Sequence, residues 1–360
     1  MKKQSIFRIM AAAAIVFAFN ACTDPDPIDE PTPKPDNGGN PMAYVLNEGS
    51  WGGNNAELSK IDLTTGAVDA TFFSSANGRG LGDLACDVLH YGSKLYVTVS
   101  ESGTLEVIDP KTGKSVKQID LGDRYPRYIA AHNGQLYISC YTPHSIIRID
   151  TASLTIAQSC NLGGNNPEQL CIAGDNIYVC SGYTSDQDGN FYYDSTLSVV
   201  NINSFSETGR ITVGCNPKSI TALDDHRVLV GCLGDYGANP AQALVYDLNQ
   251  NRATALSAPV TIFDHHNGTI YGYTVSYDAE YNATATFYSI DAQTLQATQI
   301  LQGQASTLAS AYGINVNPSN GQLVITTSAY NANGDAHCVS PQGSIAWSAE
   351  VGLYPCKTVF

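Results

Sequence analysis

The chain has 360 residues, of which 43% are hydrophobic and only 14% charged, against about 25% charged residues in a typical soluble protein. This hydrophobic content supports a large core and excludes disorder over most of the chain. Lys and Arg number 18, Asp and Glu number 33, and the net charge is -15. Because a nucleic-acid-binding surface must neutralise phosphate, we expect no nucleic-acid partner.

Residues 1–21 have the organisation of a lipoprotein signal peptide. A basic start precedes an apolar run, residues 9–19, that is too short to span a bilayer as a finished helix. Ala21 then precedes Cys22, the arrangement that lipoprotein signal peptidase cleaves after lipid is attached to the thiol. We therefore expect lipidation at Cys22. A simple secretory signal with an incidental cysteine is the alternative.

The composition of residues 22–41 predicts a semi-extended tether. They are rich in proline and acidic residues and almost without apolar side chains, so they bury too little surface to fold. The acidic residues directly after the lipidated cysteine resemble the export signal of Bacteroidetes surface lipoproteins. That resemblance implies the outer face of the outer membrane, with an ordinary solvated linker as the alternative.

Residues 42–360 repeat one pattern seven times, with a basic unit of about 41 residues and occasional insertions of about ten. Each copy contains an apolar strand core, marked by Tyr44, Tyr96, Tyr137, Tyr178, Leu229, Tyr271 and Val324. Most copies carry four short strands, the fourth opened by a proline-containing turn as in YPRYIAAHNG and NPEQLCIAGD. Four strands per repeat of this length predict an all-β protein, a seven-bladed β-propeller with four-stranded blades.

The two ends of the repeat region predict how the ring closes. The chain enters at the second strand of a blade, AYVLNEG, and leaves with LYPCKTVF, whose Pro355 matches the start of an innermost strand. The C-terminal strand is therefore expected to complete blade one and to hide the open sheet edges. A β-sandwich or an open solenoid is the alternative, but neither explains these ends.

The strand order of a blade predicts which face binds a ligand. If the strands are named A to D from the channel outwards, the D-to-A and B-to-C connections emerge on one face, and the A-to-B and C-to-D turns on the other. The short turns have a plain composition, whereas the B-to-C connections are long and aromatic. These long connections are residues 47–57, 181–195, 234–242, 276–284 and 328–337.

Two groups of side chains are candidates for ligand binding on that face. Around the rim we expect Trp51, Asn54, Tyr141, Tyr183, Phe191, Tyr192, Tyr193, Tyr236, Tyr277, Tyr281 and Tyr330. Near the channel mouth we expect Arg79, Asp83, Arg124, Arg127, Glu168, Lys218, Tyr312 and Lys357. Such a rim suits a large, flat, partly apolar ligand with polar appendages. For any single tyrosine, packing onto the next blade is the alternative.

Signals for catalysis are weak. The sequence has no GxSxG, no HExxH and no glycine-rich phosphate loop, and its histidines are scattered. We expect a binding protein rather than an enzyme, without catalytic residues and without a required cofactor. A propeller lyase is the alternative, and Glu168 with Arg127 or Asp83 is its candidate set of titratable groups.

One segment, DQDGNFYYD, spaces oxygen ligands roughly as a calcium loop does. The candidate ligands are Asp186, Asp188, Asn190 and Asp194. The segment lacks the bidentate glutamate of a calcium loop, and Asp, Asn and Gly are also common in ordinary turns. We therefore do not expect calcium to bind there.

Nine cysteines follow Cys22, an odd number that leaves at least one thiol unpaired. Cys140, Cys180 and Cys232 end second strands and are expected to be small buried hydrophobes. Cys86 and Cys356 fall at matching positions in neighbouring blades, so a bridge between them is conceivable.

The repeats resemble those of the YncE-like (YVTN-type) propellers, and several strings are similar to the BtuG-type surface lipoproteins of Bacteroides. The strings are NEGSWGGNNAEL, LGDLACDVLHYGSKLYV, YPRYI, NPEQL, AYGINVNPSNG and GLYPCKTVF, and the likeness covers residues 43–360. The resemblance implies capture of cobalamin at the cell surface and a TonB-dependent outer-membrane transporter as partner.

The sequence does not fix the identity of the ligand, although it favours cobalamin over a siderophore. A corrin is flat and nearly neutral with many amide arms, which matches an aromatic, Asn- and Ser-rich rim on an acidic protein. Related surface propellers capture other large chelates, including ferric siderophores, so a ferric siderophore or a haem-like chelate is the alternative ligand. A strongly anionic ferric catecholate would require converging cations, which this sequence also permits. A protein- or glycan-binding propeller is a further alternative, since fold does not fix function.

Overall fold

The computed structural model describes residues 40–280, 282–340 and 342–360, which form seven four-stranded antiparallel sheets arranged as a propeller. Cys22, the signal peptide and residues 22–39 of the tether lie outside the described residues. No helix in the described part of the chain has the length and apolar character needed to cross a membrane.

Blades 1 to 3 are formed in chain order. Blade 1 begins with β1 (Met42–Asn47), β2 (Glu57–Asp62) and β3 (Val68–Asp69), and a short helix, α1 (Phe72–Asn77), follows. Blade 2 contains β4 (Ala85–Tyr91), β5 (Lys94–Val99), β6 (Thr104–Ile108) and β7 (Ser115–Asp120). Blade 3 contains β8 (Pro126–His132), β9 (Gln135–Cys140), β10 (Ser145–Asp150) and β11 (Thr155–Asn161).

Blade 4 carries an additional hairpin in its B-to-C connection. Its strands are β12 (Pro167–Ala173), β13 (Asn176–Ser181), the hairpin strands β14 (Tyr183–Ser185) and β15 (Phe191–Tyr193), then β16 (Thr196–Asn201) and β17 (Ser206–Thr212). Blade 5 contains β18 (Pro217–Asp224), β19 (Arg227–Cys232), β20 (Gln242–Asp247) and β21 (Arg252–Ala255).

The last two blades lead back to the first. Blade 6 contains β22 (Ile262–His266), β23 (Thr269–Tyr277), β24 (Ala283–Asp291) and β25 (Ala297–Ile300), followed by a 3-10 turn (Gln302–Gln304). Blade 7 contains β26 (Ala311–Val316), β27 (Leu323–Ala329), β28 (Ala332–Val339) and β29 (Ile345–Leu353). The chain ends with β30 (Pro355–Val359).

The ring closes as the sequence predicts. Strand β30 pairs antiparallel with β1, with Tyr44 opposite Val359 and Leu46 opposite Lys357, and so becomes the innermost strand of blade 1. The seven innermost strands are neighbours in the order β30, β4, β8, β12, β18, β22, β26 and again β30. The propeller fold, the strand order within blades and the C-terminal closure are therefore confirmed.

Apolar side chains between neighbouring blades hold the ring together. In one such layer Leu105 of blade 2 packs in the same cluster as Leu136 and Ile147 of blade 3, all fully buried. Burying a side chain of this size contributes about 1.5–3 kcal/mol. The outermost strands, such as β11, are mostly exposed because no sheet covers them.

Polar side chains link the innermost strands around the channel. The Asp87 Oδ2 atom accepts the Ile129 N–H group at 2.8 Å, Gln169 Oε1 accepts that of Ile220 at 2.8 Å, and Asp264 Oδ2 accepts that of Val316 at 2.9 Å. Each bond satisfies a backbone donor on an edge that faces the channel and has no further strand beside it. The channel walls are thus fixed blade to blade.

Candidate functional site

One face of the propeller carries both the B-to-C and the D-to-A connections, and we call it the loop face. Direct backbone hydrogen bonds join the two kinds of connection. The Thr142 N–H group donates to the Arg124 carbonyl at 3.1 Å, and Gly234 donates to Cys215 at 3.0 Å. The opposite face, which we call the turn face, carries the short A-to-B and C-to-D turns, and Thr151 donates there to Gly134 at 2.9 Å.

Exposed aromatic side chains occur on the loop face. In the described ranges all exposed aromatic residues lie in its connections or at the strand end beside them: Trp51, Tyr125, Tyr183, Phe191, Tyr192, Tyr236, Tyr277 and Tyr330. Trp51 is 77% exposed, Tyr236 81% and Tyr330 89%. Rings this exposed contribute little to folding, so they leave a broad apolar surface with polar tips for another molecule.

Four rings form a row from blade 4 to blade 5. Tyr183 and Phe191 have centroids 5.4 Å apart, Phe191 and Tyr193 are stacked at 6.3 Å, and Tyr193 meets Tyr236 edge-on at 6.5 Å. The hairpin register places Tyr183 opposite Tyr193, which brings these rings to one side of the hairpin. The predicted rim residues of blades 4 and 5 therefore converge.

A charged cluster lies at the channel mouth. The Glu168 carboxylate, only 1% exposed, is 2.7 Å from Lys218 Nζ and 3.5 Å from Arg127 Nη2, and it accepts the Tyr141 hydroxyl proton. The Arg127 guanidinium lies 4.8 Å from the centroid of the Tyr141 ring. The structure thus brings together Arg127, Tyr141 and Glu168, three predicted site residues, with Lys218.

The charges in this cluster are set by its partners. Burial by itself raises the pKa of Glu168, but the Lys218 and Arg127 cations outweigh burial and hold that pKa below its ordinary value. Burial raises the pKa of the Tyr141 phenol, which stays protonated. This cluster therefore holds two cations and one ionised carboxylate.

Tyr312 lies in a separate cluster. Its hydroxyl donates to Glu48 Oε2 at 2.7 Å, and its ring is 6.0 Å from that of Tyr354. Burial raises the pKa of Tyr312, so its hydroxyl remains a donor at neutral pH. This bond ties blade 7 to the B-to-C connection of blade 1, and we assign Tyr312 a positioning role there.

Some predicted residues have structural roles or fall outside the described chain. Asn54 has a left-handed backbone with φ 51°, which asparagine tolerates well, so it shapes its turn. Tyr281 lies outside the described residues. Tyr192 is exposed and donates its hydroxyl proton to Asp186 at 3.0 Å.

The four calcium candidates are not gathered around one centre. Asp186 lies next to Ser185, while Asp194 follows Tyr193, so the two are at opposite ends of the β14–β15 hairpin. Asp194 forms an ion pair with Arg210 at 2.6 Å. Across the described residues there is no group of three or more His, Cys, Asp and Glu side chains arranged to hold a metal ion.

Asp186 belongs to a motif that the sequence analysis missed, D-x-x-x-N in three B-to-C connections. In each copy one Asp oxygen accepts the N–H groups two and four residues later, and the other accepts the Asn side-chain amide. The pairs are Asp186 with Asn190, Asp235 with Asn239, and Asp278 with Asn282. The repeated spacing was visible in the sequence, and its consequence is that these loop tips are held rigid.

The cysteine thiols are free in the described chain. Cys140, Cys180 and Cys232 are fully buried, as predicted. The conceivable bridge between Cys86 and Cys356 is not formed: Cys86 Sγ accepts from Arg127 Nη1 at 2.9 Å, and Cys356 donates to the Leu46 carbonyl at 3.6 Å. Burial raises the pKa of Cys86 to about 11, which keeps this thiol protonated.

Comparison with known proteins supports the fold. Residues 42–181 match a family described as a domain of unknown function, DUF5074, and no curated protein matches the chain. The structure resembles Kuenenia stuttgartiensis hydrazine synthase, with a TM-score of 0.60 and 12% identity over 73% of this chain and 85% of that one. It also resembles the computationally designed protein Ika8, with a TM-score of 0.56 and 11% identity over 87% and 89%. At these identities the likenesses show the propeller fold alone.

Proposed function

We propose that this protein is a surface lipoprotein of the BtuG type that captures cobalamin or a related corrinoid on its loop face. Cys22 carries the lipid anchor in the outer membrane, residues 22–41 are the tether, and the propeller faces the cell exterior. A TonB-dependent transporter receives the ligand. The role is binding rather than catalysis, and no cofactor is required.

The observation that carries the proposal is the one-sided distribution of exposed aromatic side chains. Eight such residues lie on the loop face of the described chain, in or beside connections from blades 1 to 7. A ring of anchors spread over several blades suits a ligand much larger than a single sugar or amino acid. Tyrosine and tryptophan supply contact area at small entropic cost and keep a polar tip for the amide arms of a corrin.

Calorimetry of the protein with cobalamin tests this proposal. We expect binding by the wild-type protein, and a loss of about 1–3 kcal/mol for each of Trp51→Ala, Tyr236→Ala and Tyr277→Ala, because each removes an exposed anchor. The matched control is Val116→Ala, which truncates a 52% exposed apolar side chain on the outer strand β7. It should leave both affinity and melting temperature unchanged.

Two results contradict the proposal. One is the absence of any heat of binding with cobalamin, and the other is binding that none of the three loop-face variants weakens.

A second candidate ligand is a ferric siderophore. The observation that favours it is the channel mouth, where the Arg127 and Lys218 cations share one carboxylate. A strongly anionic ferric catecholate would gain from charge-assisted hydrogen bonds to these two cations and from the stacking surface around them. The same calorimetry with ferric enterobactin compares the affinities of the two ligands. Tighter binding of ferric enterobactin than of cobalamin would identify a siderophore as the captured ligand.

A further inference from the structure

A cleft of about 600 Å³ opens on the loop face between blades 4 and 5. Phe191, Tyr192 and Tyr193 of the β14–β15 hairpin line it, together with Asp235 and Asn239 of the next B-to-C connection. Its volume lies within the range of about 300–1,000 Å³ that is usual for small-molecule sites. The cleft is therefore large enough for a ring system.

The row of rings defined above borders this cleft. Phe191 is 57% exposed and Tyr236 81%, and Tyr193 bridges them. A flat ring inserted between the hairpin and blade 5 would cover these exposed faces and edges. Offset or edge-to-face aromatic contacts add about 0.5–1.5 kcal/mol each beyond the area buried.

The connections on both sides of the cleft are held by internal hydrogen bonds. The side-chain hydrogen bonds of the D-x-x-x-N motif, between Asp186 and Asn190 and between Asp235 and Asn239, hold the tips of both connections. Less side-chain and loop ordering is then required on binding, so more of the contact energy appears as affinity.

The charge of the cleft restricts what it accepts. Among the described residues that line it, Asp235 carries the single formal charge, and hydrogen bonds from the Asn239 backbone and side chain hold its pKa below the ordinary value. The other polar groups, including Ser195, Thr212 and Gln242, are neutral donors and acceptors. An anionic ring is disfavoured here, whereas a ring without negative charge that carries hydrogen-bonding groups is not.

We propose that this cleft binds a flat aromatic ring without negative charge, carried by the captured ligand and stacked on the row of rings. This inference rests on the proposed function and assigns a binding site to one part of the ligand. The remainder of the ligand lies over the channel and against the rings of the other blades.

Cys215 provides a reporter inside the cleft, because its half-buried thiol lines the cavity. The experiment follows alkylation of each cysteine by iodoacetamide with peptide mass spectrometry, using benzimidazole as the neutral probe and benzoate as the anionic probe of similar size. We expect benzimidazole at about ten times its Kd to slow alkylation of Cys215 by about tenfold, since only the free cleft reacts. Equal concentrations of benzoate should have no such effect.

Two references make the result specific. The alkylation of Cys215 in the urea-unfolded protein, which has no cleft, should not respond to benzimidazole. Phe191→Ala and Tyr236→Ala should remove the protection of Cys215, while Val116→Ala, at an exposed apolar side chain on the outer strand β7, should preserve it. Equal protection by both probes, or no protection by benzimidazole, overturns the proposal.

The outcome is separable from the proposed function. If cobalamin binds in calorimetry but neither cobalamin nor benzimidazole protects Cys215, capture stands and the cleft assignment is wrong. If benzimidazole protects Cys215 but cobalamin does not bind, the cleft accepts a heterocycle and cobalamin capture is wrong.

Discussion

Glu168 carries a charge that its surroundings have to stabilise. The carboxylate lies almost entirely out of water, between Lys218 and Arg127, with the Tyr141 hydroxyl as a further donor. Removing a carboxylate from water costs several kcal/mol, and its ion pairs offset that cost only while every partner is present. We therefore regard Glu168 as the residue that positions the Arg127 guanidinium and the Tyr141 ring for a ligand, without meeting the ligand itself.

Replacing Glu168 with Gln should lower the free energy of unfolding at pH 7 by about 3–5 kcal/mol, because two cations lose their buried counter-charge. The pKa of Glu168 is lowered in the folded state, so its contribution is fully present above the ordinary carboxyl pKa of 4.5 and is lost as the pH falls below it. Urea denaturation from pH 7 to pH 3 measures both effects.

The control for this prediction is Glu101→Gln, at an exposed residue of blade 2. It should behave as the wild-type protein. If Glu168→Gln matches the wild-type stability at pH 7, or loses as much stability on acidification as the wild type does, the coupling of Glu168 to the two cations is contradicted.

Among the elements, the B-to-C connections combine exposure with rigidity. The connection of blade 6 shows how: the Asp278 carboxylate accepts the N–H groups of Glu280 and Asn282, at 3.0 and 2.8 Å, and the Asn282 amide at 2.8 Å. Tyr277 directly precedes this hydrogen-bonded motif and is 67% exposed. These hydrogen bonds hold the loop that carries Tyr277, so the entropy cost of ordering this loop is met when the protein folds. Less of that cost then remains to weaken ligand binding.

Asp278→Ala should loosen this connection without affecting the blade. We expect faster amide exchange over residues 277–283, an unchanged melting temperature and a loss of about 0.5–1.5 kcal/mol in ligand affinity, the cost of ordering one side chain on binding. Hydrogen–deuterium exchange and calorimetry measure these quantities.

Asp291→Ala is the matched control, because Asp291 braces a turn of the same blade on the turn face, accepting N–H groups of Gln293 and Thr294 at 3.0 and 2.6 Å. It should loosen its own turn and leave affinity unchanged. Equal losses of affinity in the two variants would show that bracing on the loop face has no special part in binding.

For the molecule as a whole, ring closure determines which side chains can act together. Because β30 completes blade 1, every blade contributes an innermost strand, and the connections of all seven surround one channel mouth. Polar bonds between the innermost strands, such as Asp87 to Ile129, prevent the blades from sliding. The loop face is therefore a single surface, on which exposed aromatic side chains from distant parts of the sequence are brought together.

Much of this organisation could be predicted from the sequence, because strand periodicity and turn residues are local signals. The repeat length predicts the blades, and Pro355 at the end of the chain predicts the closure. The exposed positions of Trp51, Tyr236 and Tyr277 follow from their place in long B-to-C connections.

Convergence across blades could not be predicted in the same way. The exposed ring of Tyr125 and the thiol of Cys215 come from D-to-A connections, and only the packing of neighbouring blades decides what these contact. The conceivable bridge between Cys86 and Cys356 rested on matching positions, but disulfide formation depends on the distance and direction of side chains. Sequence spacing does not contain that information.

Capture of a large flat ligand by the loop face of a closed propeller is tested by hydrogen–deuterium exchange of the wild-type protein with and without saturating cobalamin. We predict slower exchange in peptides covering residues 48–56, 182–195, 233–241 and 277–283, and no change in the turns around residues 133–134, 225–226 and 292–296 on the other face. Protection concentrated on the turn face, or no protection anywhere in the described chain, would contradict ligand capture by the loop face.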